Sequence, residues 1–256
     1  MGFKDHFSGH AADYAAARPS YPPALAALLA DHAGGRDLAL DCGCGSGQLS
    51  VLLAGHFDRV VATDASAEQI AHAIPHPRVT YAAAPAEHSG LADHSADLVV
   101  AAQAAHWFDL ALFWREVARV GRPGGLTALV SYGSITVSPD LDPLLRRFHD
   151  ETLRDYWPPE RWLVTGGYRD ILFPLAQIAL PPVAMTLDWT FGQMLAYLGT
   201  WSGVKAADRA LGTSVLAEIA PSLEPAWGDP QTRRTISWPL AIRAGRIDPA
   251  AIAANT

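Results

Sequence analysis

Leu38-Ala39-Leu40-Asp41-Cys42-Gly43-Cys44-Gly45-Ser46-Gly47-Gln48-Leu49-Ser50 decides how this chain is read. An apolar run ending in an acid leads into three glycines at alternate positions. Short apolar runs next to turn residues mark strands buried on both faces, as in parallel sheets. Glycines directly after such a strand let the backbone turn sharply and approach a ligand closely, because no Cβ intervenes. From Gln48 onward, Leu49, Val51, Leu52 and Leu53 read as the opening of a helix. Strand, glycine turn and helix in that order build nucleotide sites at the carboxyl ends of strands in open α/β sheets.

The glycine spacing bears on which nucleotide. Dinucleotide folds use G-x-G-x-x-G, with the third glycine three after the second. Here Gly47 follows Gly45 by two, and Gln48 fills the other position. Asp41, two residues before Gly43, would repel a pyrophosphate and suits a ligand carrying an ammonium or sulfonium group. S-adenosylmethionine carries both. Two rival readings remain beside it: a nicotinamide-dependent oxidoreductase, which the spacing disfavours, and a non-catalytic relative that binds the cofactor or a partner protein.

The segments that follow repeat the alternation. Arg59 to Asp64 is a second apolar strand ending in an acid, about twenty residues past the turn, where a carboxylate grips ribose hydroxyls in α/β nucleotide sites. Asp64 could instead cap a helix, but Ser66 can cap Ala67 to Ala73 and leave Asp64 free. Arg78 to Tyr81 is a third short strand, and Asp97 to Gln103 a fourth. After the fourth come Ala104-Ala105-His106-Trp107-Phe108-Asp109. A histidine with aromatics at the carboxyl end of a central strand is placed for ligand contact. The bland alternatives are a core role for Trp107 and Phe108 and a helix-start role for His106. A helix over Ala111 to Val120 shows Leu112, Val117 and Val120 as its apolar face, with Arg115, Glu116 and Arg119 polar. Leu126 to Tyr132 is a fifth strand, so the sheet is α/β and doubly wound.

Beyond Pro139 the alternation stops. Leu141 to Tyr156 reads as one amphipathic helix, and residues 139–203 carry many aromatics among prolines, which predicts an insertion closing over the active face. Such aromatics line pockets or serve as structural cover in equal measure. Pro182 to Leu187 is a candidate sixth strand and Arg234 to Arg243 the last, with Pro239 suiting an edge or bulge. Residues 1–21 hold Phe3, Phe7, Tyr14 and Tyr21, more aromatics than a disordered tail carries, and are expected to fold over the site as a lid.

Composition narrows the class. The 256 residues suit one domain, half of them hydrophobic, with a formal charge of −7 and no basic run, which argues against a nucleic-acid partner. Neither a signal core nor a membrane span is apparent, so a cytoplasmic protein is expected. Cys42 and Cys44 are too close for an easy disulfide and belong to no zinc-type cluster, so no metal is expected. Oligomeric state is not readable.

Taken together, these words resemble the class I S-adenosylmethionine-dependent methyltransferases of the type-11 group. Within that group the chain is similar to the trans-aconitate-methyltransferase-like branch, on Tyr14 to Pro22, Asp41-x-Gly-x-Gly-x-Gly, Gln103 to Phe108, Thr200-Trp201-Ser202 and Trp238-Pro239-Leu240. The resemblance implies a Rossmann-like seven-stranded mixed sheet whose last strand is antiparallel. It implies that Asp41, Gly43, Cys44, Gly45 and Gly47 frame the methionine end of the cofactor. Asp64 would hold the ribose, with Ala65 beside the adenine. Gln103 would line the path to the acceptor, while Tyr14 and Arg18 would reach in from the lid to grip the cofactor carboxylate, the alternative for Arg18 being that it only pins the lid to the domain. Where many members carry an aspartate against the adenine this chain has Pro85, so backbone groups near Ala86 and the Glu87 side chain stand in as candidates. Trp107 and Trp201 are candidates for contact with a small-molecule acceptor. If that acceptor is a carboxylate no base is required; if it is a hydroxyl, His106 is the best base.

Overall fold

The computed structural model describes residues 19–256. Helix α1 (Pro23–Asp31) leads into strand β1 (Leu38–Cys42), whose five residues are all buried. The alternation then runs α2 (Gln48–Leu53), β2 (Arg59–Asp64), α3 (Ala67–Ala71), β3 (Val79–Ala83), β4 (Ala96–Ala102), α4 (Leu110–Val120) and β5 (Gly121–Tyr132). These five strands are parallel, in the spatial order β3-β2-β1-β4-β5. The order reverses between β1 and β4, which opens the crevice where α/β sheets bind ligands.

Past β5 the chain builds a cap from α5 (Asp142–Arg147), α6 (Arg161–Thr165), β6 (Gln177–Ile178), β7 (Ala184–Trp189), α7 (Phe191–Gly199), α8 (Ser202–Leu211) and α9 (Val215–Trp227). Strand β8 (Arg234–Arg246) and helix α10 (Pro249–Asn255) close the described chain. Strand β8 serves two sheets. Its second half pairs antiparallel with β5, from Leu240 against Tyr132 to Arg246 against Leu126. Its first half pairs with β7, from Arg234 against Trp189 to Pro239 against Ala184. Pro239 sits at the changeover, where one missing N–H costs least.

The sheet therefore has eight strands against the seven expected. The two-residue β6 carries no pattern long enough to read, and the strand expected over 182–187 is β7, which pairs with β8. The single helix expected over 141–156 is three pieces. Helix α5 runs into a wide turn over Phe148–Thr152, closed by Leu153 N–H donating to Phe148 O at 3.0 Å, and a further short turn spans Arg154–Tyr156.

Two apolar layers cover the sheet. One joins Leu25, Leu29, Leu53 and Phe57 to the cap residues Phe148, Tyr197, Trp201 and Trp238. The other packs Phe113, Trp114, Val117 and Ile252 on Leu40 and Val99. The expected face of α4 is corrected here: Leu112 is 45% exposed, while Phe113, Trp114 and Glu116 are buried. Glu116 tolerates burial because its carboxylate is saturated. It accepts from Ser89 N and Ser89 Oγ at 2.8 and 2.6 Å and pairs with the Arg119 guanidinium at 2.8 Å. Among the described residues, no helix is long and apolar enough to cross a membrane.

Candidate active site

The glycine turn is held in a conformation other residues rarely adopt. Gly43, Gly45 and Gly47 have φ of +67°, +54° and +82°. A Cβ on Gly43 would lie 2.4 Å from Ala104 Cβ, and one on Gly47 would lie 2.2 Å from the Tyr81 hydroxyl oxygen. The first distance brings the exit of β4 directly against the turn. The second shows a neighbour that the sequence did not single out: Tyr81 of β3 lies across Gly47, its hydroxyl donating to Ile74 O at 2.7 Å. Cys44 donates its N–H to Thr63 O at 2.9 Å, which ties the turn to β2, and burial pushes both cysteine thiols well up.

Asp41 is 1% exposed. Its Oδ2 accepts from Ser50 Oγ at 2.6 Å, but its Oδ1 is buried with no hydrogen-bond partner. Burial is the main reason its carboxyl is raised to about 6, partly offset by the Ser50 bond and added to by the charge of Asp64. Asp64, at the end of β2, accepts from Gly45 N and Ser66 N, both at 2.8 Å. Each carboxylate oxygen can take a further donor, so these bonds fix the group without filling it. Ser66 caps α3, accepting from Gln69 N at 3.3 Å, and Ala65 is exposed beside it.

The β4 exit supplies the opposite wall. Gln103 has φ of +56°, unusual for a residue with a Cβ. Its Nε2 donates to Tyr132 O at 2.9 Å, while its Oε1 is buried without a partner. Two orphan acceptors, on Asp41 and Gln103, thus belong to the elements that meet at the turn. His106 is half-buried and its Nδ1 lies 2.9 Å from the hydroxyl of Tyr168. Burial, helped by the nearby charge of Arg161, lowers it to about 4, so it is neutral near pH 7. Trp107 is 40% exposed, its ring 4.7 Å from that of His106.

Other predicted residues are placed differently. Ala86 is buried, and the Glu87 carboxylate accepts from Asp109 N at 2.7 Å, so this side chain braces the turn that follows His106. Trp201 is only 4% exposed and packs on Phe148, His149, Trp157 and Tyr197. Tyr14 and Arg18 lie outside the described residues. Among the described residues, no group of three or more His, Cys, Asp and Glu could hold a metal ion.

A cavity of about 610 Å³ opens between the end of β5 and the cap, lined by Ser134, Arg146, Asp150, Arg154, Trp162, Thr165 and Gly166. Two arginines against one aspartate leave it positive in a chain of formal charge −7. Next to it, His149 is fully buried among Trp157, Trp162 and Trp201, its Nδ1 on Asp150 Oδ1 at 2.7 Å. None of Ser50, Tyr81, His149 or Tyr168 stood out in the sequence, because each meets its partner only through tertiary packing.

Known proteins resemble this chain at the level of family and fold. A model described as a methyltransferase domain matches residues 40–129, the stretch from β1 to β5. A provisionally named methyltransferase of Dictyostelium discoideum is 35% identical over 225 residues, covering 86% of each chain. A protein of Mycolicibacterium smegmatis, named as an S-adenosylmethionine-dependent methyltransferase, is 37% identical over 131 residues, 49% of each chain. A solved structure from Anaeromyxobacter dehalogenans, described as a type II methyltransferase, is 50% identical with a TM-score of 0.85, covering 90% of this chain and 98% of that one.

Proposed function

The chain belongs to the class I S-adenosylmethionine-dependent methyltransferases, and from that premise we propose that it methylates a carboxylate oxygen of a small organic acid. One observation carries the choice of acceptor. The cavity between the end of β5 and the cap is lined by Arg146 and Arg154, with Arg161 close to His106. A guanidinium suits a carboxylate, bidentately where geometry allows. The resemblance to the trans-aconitate-methyltransferase-like branch agrees with an acid.

The residues present suit the cofactor. The open oxygen of Asp41 and the Cβ-free turn would receive the charged methionine end, with the second orphan acceptor, Gln103 Oε1, at the β4 exit. Asp64, already fixed by two backbone N–H groups, would take the ribose hydroxyls, with Ala65 beside the adenine. S-adenosylmethionine supplies a methyl group activated by its sulfonium. What remains for the chain is to hold the nucleophile in line, worth about 7–11 kcal/mol of barrier, and to exclude water under the cap. A carboxylic acid is ionised near neutrality, so the acceptor needs no base. This matches His106, whose conjugate acid near 4 makes it a weak one.

The test is methyl transfer from labelled S-adenosylmethionine to matched panels of small acids and small alcohols. Label in base-labile esters of the acids supports the proposal. Label in ethers, with the acids inert, overturns it.

A further inference from the structure

Tyr168 is held in a costly position. Its φ is +59°, and it follows Gly167 at +67°. A non-glycine residue in this region costs about 1 kcal/mol or more and persists only where its surroundings over-determine it. They do so here. Tyr168 N–H donates to Leu163 O at 2.9 Å, and Arg243 Nη1 donates to Tyr168 O and, at 2.7 Å, to Ile171 O. The side chain is fully buried. A Cβ on Gly167 would come 2.9 Å from Ala241 Cβ, so the turn is pressed against β8. All this fixes the phenol oxygen 2.9 Å from His106 Nδ1.

The proton in that bond has one consistent place. Burial pushes the phenol well above its ordinary range, so it keeps its proton. The side chain is sealed from water, and among the described residues the phenol oxygen has one hydrogen-bond partner, His106 Nδ1. A buried O–H left without an acceptor is costly, so its proton goes to that neighbour, His106 Nδ1. That nitrogen is then the acceptor, and the proton of the neutral ring sits on Nε2.

We propose that Tyr168 is a positioning residue that locks His106 as its Nε2–H tautomer, so that His106 offers the methyl acceptor a hydrogen-bond donor in place of a base. A donor of this kind holds one oxygen of a carboxylate and leaves the other for attack. This second part rests on the acid acceptor proposed above; the tautomer lock does not.

The two are separable by experiment. In the full chain with ¹⁵N-labelled histidine, the ring nitrogens of His106, assigned by their loss in His106→Gln, should show a protonated Nε2 and an unprotonated Nδ1 at pH 7. Tyr168→Phe keeps the ring and deletes the hydroxyl, and should collapse that pattern toward exchange between tautomers. A protonated Nδ1 in the wild type, or an unchanged pattern in Tyr168→Phe, overturns the lock. With an acid acceptor in hand, His106→Gln, whose amide N–H stands near the place of Nε2–H, should keep turnover within about tenfold of wild type. His106→Ala should lose about a hundredfold, as for removal of one positioned donor. Equal loss in both variants overturns the donor role. A failed acid panel beside an intact Nε2–H ring would sink the acceptor class and spare the lock.

Discussion

Replacing Asp41 with asparagine should separate what this residue does for the fold from what it does for the ligand. The folded carboxyl titrates at about 6 against an ordinary 3.8, because burial disfavours its charged form. Between those values the native state binds more protons than the unfolded state, so stability falls as pH rises through the window. At about 1.4 kcal/mol per tenfold change in proton affinity, the charged form costs the cofactor-free protein about 3 kcal/mol once pH is well above 6. About half of that accrues between pH 5 and 8. Asparagine keeps the shape and an oxygen for Ser50 but never ionises. The melting temperature of wild type minus that of the variant should therefore drop by about 3–6 °C from pH 5 to pH 8, taking about 2–4 °C per kcal/mol for a chain of this size. The comparison at two pH values cancels any constant cost of burying the amide.

The ligand should report the opposite preference. A cation beside Asp41 favours the ionised form, so binding near pH 5.5 should release a proton, and affinity should rise with pH until the carboxyl is ionised. Deleting one partner of a buried charge pair costs about 2 kcal/mol or more, so Asp41→Asn should bind S-adenosylmethionine at least about thirtyfold more weakly. Titration calorimetry in buffers of different ionisation enthalpy measures both quantities. Wild-type affinity in the variant, or a melting difference that ignores pH, refutes the assignment of Asp41 as the unsatisfied anion of the cofactor seat.

Asp64→Ala removes the acceptor of Gly45 N and Ser66 N and should weaken cofactor binding at least about tenfold by calorimetry; unchanged affinity rejects the ribose role. Gly47→Ala sets a Cβ 2.2 Å from the Tyr81 oxygen at φ of +82°. It should lower stability by about 1–3 kcal/mol in denaturant titration and abolish detectable cofactor binding. Glu116 is held below the ordinary carboxylate range by the Arg119 and Ser89 bonds, which outweigh its burial. Its stabilising contribution is complete above the unfolded value and is lost as pH falls toward the folded one. Acid unfolding of Glu116→Gln should therefore depend less on pH below about 4.5, and coincident wild-type and variant acid profiles would contradict this. His106→Ala should lower turnover while leaving cofactor affinity within about twofold, since the ring contacts Tyr168 and Trp107 and not the glycine turn.

What was legible in the sequence is what local chemistry determines. Asp41 to Gly47 could be read because the alternate glycines sit where only a Cβ-free turn fits, and the structure shows positive φ at all three. Asp64 stands out locally as an acid ending a strand, and the structure ties it to Gly45 N and Ser66 N. Failures arose where a residue's role depends on a partner far along the chain. Glu116 looks like a solvent-facing charge until Ser89, 27 residues away, caps it. Tyr168 shows the limit most sharply. Its local signal is only a tyrosine after Gly166-Gly167, which suggests a loop. Its conformation is instead imposed by Arg243, 75 residues on, and what that achieves is visible only at His106, 62 residues back. The cofactor half of such a site is built from one βαβ neighbourhood and is written in adjacent residues. The acceptor half is assembled across the cap, from residues whose meeting no local pattern encodes. That difference in contact range is why the sequence reaches the cofactor and stops short of the acceptor.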